Sequence, residues 1–183
     1  MIKKEARILG LSAPTGRLKQ TPTIGVVFRG NLWLDGILVC QIQPDRPDYL
    51  SALVRAIVQS RQYSQIHAVI LSREKLVSGI RTDILGLSRK INLPVISISR
   101  ETAQQRTNSH QTERPSSRSK VEHFSVKVAG ASVCLKAAGI SPQEAREIFA
   151  VACADGQRIP EAVRVADLVA KHATRRSLFS ETK

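Results

Sequence analysis

The chain has 183 residues, 42% hydrophobic and 4% aromatic, with 28 lysines and arginines against 15 acids for a formal net charge of +13. That length suits one substantial core rather than two, and the apolar share supports a packed globule. The charge says nothing of the fold but selects polyanionic partners, and the scarcity of rings argues against an aromatic platform for stacking bases.

Three strands open the chain. Ala6 to Ser12 is a short apolar run ended by Ala-Pro-Thr-Gly, Thr23 to Phe28 is a second, and Leu32 to Gln43 follows the turn Arg29-Gly30-Asn31. Short loops between consecutive strands predict an antiparallel meander. Pro44-Asp45-Arg46-Pro47-Asp48 then breaks the sheet and caps a helix whose Leu50, Leu53, Val54, Ile57 and Val58 share one face. His67 to Ser72 reads as a buried parallel strand, Thr82 to Lys90 as a second helix, and Pro94 to Ser99 as the next strand.

Residues 101–122 hold only Ala103 and Val121 from the apolar set, so they form a polar linker or a segment ordered by a partner. Beyond them, Phe124 to Leu135 reads as one strand. Ser141, Pro142 and Glu144 form a capping-box start for a helix, and a last helix begins near Pro160-Glu161 and ends in Arg175-Arg176, where cations suit the dipole. Residues 1–183 are therefore expected to be a single domain, with 177–183 as a tail.

Cys40, Cys134 and Cys153 are too widely spaced for a paired metal-ligand motif and are expected as buried free thiols. The first residues lack the apolar core of a signal peptide and no run reaches 18 apolar residues, so a reducing cytoplasm is the expected compartment and a membrane is not an expected partner. There is no Walker loop, G-x-G-x-x-G, H-E-x-x-H or G-x-S-x-G, and no cofactor is expected. Trp33, Tyr49, Tyr63 and the phenylalanines read as core.

The order βββαβαβ, with pairing that changes from antiparallel to parallel, resembles the RNase H-like fold: α/β, a mixed sheet with flanking helices. Val26-Val27-Phe28-Arg29-Gly30-Asn31-Leu32-Trp33-Leu34-Asp35-Gly36 resembles the VVFRGxxWLDG segment of the archaeal domain of unknown function 99, an endonuclease V-like family. Residues 138–148 (AGISPQEAREI) and 158–166 (RIPEAVRVA) resemble two helix starts of the same family, in the same order.

The resemblance also implies acids just after the first strand and at the end of the central parallel strand. Here those positions hold Ser12 and Ala13, and Ser72. Metal-assisted phosphodiester cleavage needs charged oxygen ligands for a divalent cation, which neutral hydroxyls do not replace. These three residues are thus expected to mark a degenerate active site, with no catalytic residue, no metal and no enzymatic activity. By the meander, Asp35 belongs at the opposite end of the sheet from Ser12, in a structural role.

The loops at the same edge carry Arg17, Lys19, Arg73, Lys75 and Arg100, which suit phosphate oxygens. Lys3, Lys4 and Arg7, and Lys171, Arg175 and Arg176, are expected to extend this contact. Residues 53–100 hold eight basic and two acidic residues, a net of +6, while residues 21–52 hold two basic and three acidic, a net of −1. The expected function is nucleic-acid binding without cleavage, with RNA, ribosomal RNA included, or another nucleic acid as the partner, and ribosomal proteins beside it. Two alternatives stand beside it: a magnesium-dependent nuclease using Asp45, Glu74 and Asp83, and a protein-interaction module using residues 101–122.

Overall fold

A computed structural model describes residues 2–16, 18–44, 46, 48–77, 79–99 and 120–175. The meander is formed by β1 (Arg7–Ser12), β2 (Thr21–Arg29) and β3 (Trp33–Ile42). Then come α1 (Tyr49–Val58), β4 (Ile66–Leu71), α2 (Ile84–Ile91), β5 (Val95–Ser99), β6 (Val121–Val128), β7 (Ala131–Ala138), α3 (Pro142–Ala152) and α4 (Glu161–Arg175). The seven strands form one mixed sheet in the order β3-β2-β1-β4-β5-β7-β6. β4 runs parallel to both β1 and β5, and the remaining pairs are antiparallel.

Alternation along the strands divides the core between two faces. Leu9, Leu11, Val69, Leu71 and Val95 pack with Leu53 and Ile57 of α1 and Leu87 and Ile91 of α2. On the other face Ile8, Ile70 and Ile96 pack with Ile148 and Phe149 of α3, and Ile24, Val26 and Phe28 with Ala162, Ala166 and Ala170 of α4. Ser141 caps α3 in the reciprocal arrangement with Glu144, as the sequence requires.

The structure divides the expected Phe124–Leu135 strand into a hairpin, because Ala129 and Gly130 both take positive φ, 48° and 74°, as a tight two-residue hairpin turn requires. Val121 and Glu122, expected in the polar segment, open β6, and residues 101–119 lie outside the described residues. α2 starts later than expected because Asp83 serves as its N-cap, accepting from the Gly86 N–H at 2.9 Å. Trp33, expected in the core, is 65% exposed on the outermost strand. Cys134 and Cys153 are buried, Cys40 partly so, and all three are free thiols; burial pushes Cys40 up to about 11 and Cys153 up to about 12. Among the described residues no helix is long and apolar enough to cross a membrane.

Candidate active site

Parallel pairing sets Leu11 of β1 beside Leu71 of β4, and the Ser72 N–H donates to the Leu11 carbonyl at 2.9 Å. The next residues on each chain, Ser12 and Ser72, therefore emerge together at the C-terminal edge of the sheet, where the Ser72 hydroxyl donates to Ser12 Oγ at 3.1 Å. Ser12 shares the strand face of Ile8 and Gly10, the one that α3 and α4 cover. A Cβ at Gly10 would lie 2.3 Å from the backbone carbon of Ala162, so only glycine lets α4 sit this close to β1.

From that contact Asp167 lies five residues along the helix, about 7.5 Å. Ser12 lies two residues along the strand, about 6.6 Å. The advances match, and the Ser12 hydroxyl donates to Asp167 Oδ1 at 3.0 Å. The other carboxylate oxygen takes Lys171 Nζ at 2.7 Å, one helical turn on, while the Arg73 guanidinium binds the Ala13 carbonyl. Partial burial acts to raise the Asp167 pKa. The hydrogen bonds from Lys171 and Ser12, with the charges of Lys171 and Arg73, outweigh it and hold the carboxyl below its ordinary range. Asp167 is thus an ionised acceptor at neutral pH, joined through Ser12 to Ser72.

This donor set does not fit a resident divalent cation. It offers one carboxylate and two neutral hydroxyls beside two cations, where a magnesium or calcium ion takes several oxygen ligands, carboxylates prominent among them. Among the described residues no three of His, Cys, Asp and Glu converge as metal ligands.

A cavity of about 350 Å³ opens on the other face of the sheet, lined by Glu74, Thr82, Ile84, Ser97, Val121 and Lys136 among others. Lys136 of β7 reaches inward to Glu74 at 2.8 Å, both side chains nearly buried, and Arg81 approaches the same carboxylate at 3.7 Å. Burial would raise the Glu74 pKa, but the Lys136 and Ser99 hydrogen bonds and the two cations leave it lowered. The buried hydroxyls of Thr82 and Ser97 have no hydrogen-bond partner among the described residues. Ser72 and Glu74 are two residues apart, so their Cα atoms are within about 7 Å. One loop thus borders both the Ser12–Asp167 edge and this cavity.

The expected cations are dispersed. Arg73 and Lys171 reach the edge, and Lys19 and Lys75 are exposed on the loops that leave it. Lys3 and Lys4 are exposed at the other end of β1. Arg7 and Arg29 there hold Asp35 at 2.5 and 2.9 Å, giving Asp35 the structural role its place in the meander implied. Arg17, Arg100, Asp45, Arg176 and the side chain of Arg175 lie outside the described residues. Asp83 is occupied as a helix cap and Glu74 in its ion pairs, so neither joins Asp167 in a carboxylate cluster. Sequence reasoning missed Asp167 and Lys136. The available signal for Asp167 was its place on the face of α4 between Val163 and Ala170, both buried, rather than on the solvent face.

Residues 4–174 match the family described as Endonuclease dU. The chain belongs to that family. Relatives of this endonuclease dU family member include the UPF0215 proteins of Methanothermobacter thermautotrophicus, 30% identical over 94% of this chain and 90% of the relative, and of Methanosarcina mazei, 29% identical over 94% and 93%. A protein of unknown function from Archaeoglobus fulgidus superposes with TM-score 0.69 at 21% identity, covering 91% of this chain and 96% of the other. Human ENDOV superposes with TM-score 0.68 at 14% identity, covering 94% and 85%. Ciona intestinalis endonuclease V, solved with a DNA containing an inosine, gives 0.64 at 11% identity, covering 93% and 86%.

The fold is therefore the RNase H-like fold of endonuclease V, as the element order suggested. The expectation that this family member is not an enzyme is corrected: its family is described as an endonuclease and its fold is shared with endonuclease V, which together point to enzymatic activity. The expectation weighed the serines at the strand ends together with Asp35, Asp45, Glu74 and Asp83, and left out Asp167, the carboxylate that α4 brings to Ser12.

Proposed function

We propose that this endonuclease dU family member binds the phosphodiester backbone of a nucleic acid across the edge formed by Ser12, Ser72 and Asp167, and cleaves it there. The observation that carries the reading is the convergence of an ionised Asp167, hydrogen-bonded to Ser12, with the cations Arg73 and Lys171 at one sheet edge. Lys171 and Arg73 supply charge for phosphate oxygens. Asp167 is a proton acceptor for an attacking water or hydroxyl, and Ser12 and Ser72 orient it. The family description and the inosine-containing DNA bound by the Ciona protein support a nucleic acid bearing a deaminated base as substrate.

The neighbouring cavity supports the same reading. An enzyme that reads an altered base takes that base out of the stack. The Ser97 and Thr82 hydroxyls, without a hydrogen-bond partner among the described residues, are placed to bind its polar edge while Ile84 and Val121 border its faces.

The test is cleavage of end-labelled DNA and RNA oligonucleotides carrying one deoxyuridine or inosine, each with magnesium and with chelator. Cleavage at the altered base, lost in Asp167→Asn, is the expected result. Binding without cleavage of any substrate under every condition would refute the nuclease reading. Phosphate oxygens are common to DNA and RNA, so the same assay decides the sugar. Salt-sensitive cosedimentation with ribosomal particles would extend the reading to a ribonucleoprotein partner.

A further inference from the structure

The outer edge of the meander presents a surface that the nuclease reading leaves unused. α1 covers the face of β3 that carries Leu38 and Cys40. α4, drawn over β1 and β2 by the close approach at Gly10, leaves the other face bare. Leu34, Ile37 and Val39 pair across the ladder with Phe28, Val26 and Ile24 and so share one face. Each is about half exposed.

Edge strands that must stay unpaired are kept short or carry lysine, proline or inward charge. β3 has ten residues, WLDGILVCQI, with no lysine, arginine or proline. The opposite edge, β6, carries Glu122 and Lys127. A bulge interrupts β3 only near Asp35, and the register from Ile37 to Ile42 is regular.

Charge selects the occupant. The single charged residue of β3, Asp35, is neutralised by Arg7 and Arg29. Residues 21–52 hold two basic and three acidic residues, a net of −1 in a chain of net +13. A polyanion finds little to bind on this strand. Two copies of the chain, which repel one another elsewhere, meet here without like charges opposed. Antiparallel pairing of a strand with its own copy is a two-fold, self-complementary contact, and it apposes the two apolar stripes.

We propose that a second copy of this chain docks on β3, strand to antiparallel strand, joining two seven-stranded sheets into one. Sedimentation velocity in high salt tests this on the full chain. The expected mass is twice 20.1 kDa. Val39→Lys and Ile37→Lys, each placing like charges at the two-fold contact, raise the dimer dissociation constant at least about 100-fold. Both positions are exposed within one chain, so far-UV circular dichroism stays unchanged. Hydrogen exchange of β3 amides slows as wild-type concentration rises. A wild-type monomer at all concentrations, a dimer that survives both substitutions, or β3 exchange independent of concentration each overturns the proposal.

Discussion

Ser12 donates its hydroxyl proton to Asp167 across 155 positions of sequence, over a distance of 3.0 Å. Nothing local to either residue specifies this contact. It follows from the close approach of α4 to β1 that the missing side chain at Gly10 permits, which sets Asp167 and Ser12 at matching distances from the Gly10–Ala162 contact.

Asp167→Asn keeps the hydrogen-bond geometry but removes the charge and the proton-accepting capacity. Cleavage of a deoxyuridine- or inosine-containing oligonucleotide is expected to fall at least about 100-fold, the usual scale for a lost general base. Oligonucleotide affinity, measured by fluorescence anisotropy, does not fall with it.

Gly10→Ala places a Cβ 2.3 Å from the Ala162 backbone, which cannot yield as a flexible side chain would. Overpacking of this kind costs about 2 kcal/mol, read from the urea midpoint. The helix must also lift from β1, so the folded variant loses cleavage as Asp167 parts from Ser12. An alanine variant with wild-type stability would contradict the close packing.

Lys171→Ala removes one cation from the edge. The slope of log K against log salt for oligonucleotide binding is expected to shrink by about one unit, uniformly across sequences. Lys4→Ala, at the far end of β1, tests whether the contact extends beyond this edge, since a cation outside it leaves the slope unchanged.

Lys136→Met leaves the Glu74 carboxylate in a nearly buried setting with the Ser99 hydrogen bond and the exposed Arg81 but without its buried counter-charge. Breaking one side of a buried pair costs about 3 kcal/mol. Adding Glu74→Gln removes the orphaned charge and restores part of the loss, which a double-mutant cycle in urea would measure.

Asp35 gives a pH signature. The hydrogen bond from Arg29, aided by Arg7, holds its carboxyl below the ordinary range. A depressed folded-state pKa contributes stability that is complete above the unfolded value of about 3.9 and is lost as pH falls through the folded value. Asp35→Asn therefore destabilises the protein at neutral pH, and its deficit against wild type narrows in acid. Denaturation midpoints across that range check the sign.

The sequence by itself determined the elements whose causes are local. The capping box at Ser141, the apolar period of α1 and the turn residues of the meander act within a few residues, and they specify strand and helix order well enough to suggest the fold. The meander also placed Asp35 correctly, since three short-looped strands fix which ends are neighbours. Asp167 stayed hidden because a lone aspartate in an amphipathic helix differs from a solvated charge only by what packs beside it. Lys136 stayed hidden for the mirror reason: an isolated lysine in a strand looks outward-facing until β5 and β4 bring Glu74 to it. Periodicity is written along the chain, but which side chains converge depends on register and on the distance between layers, and those exist only once the sheet and helices have packed.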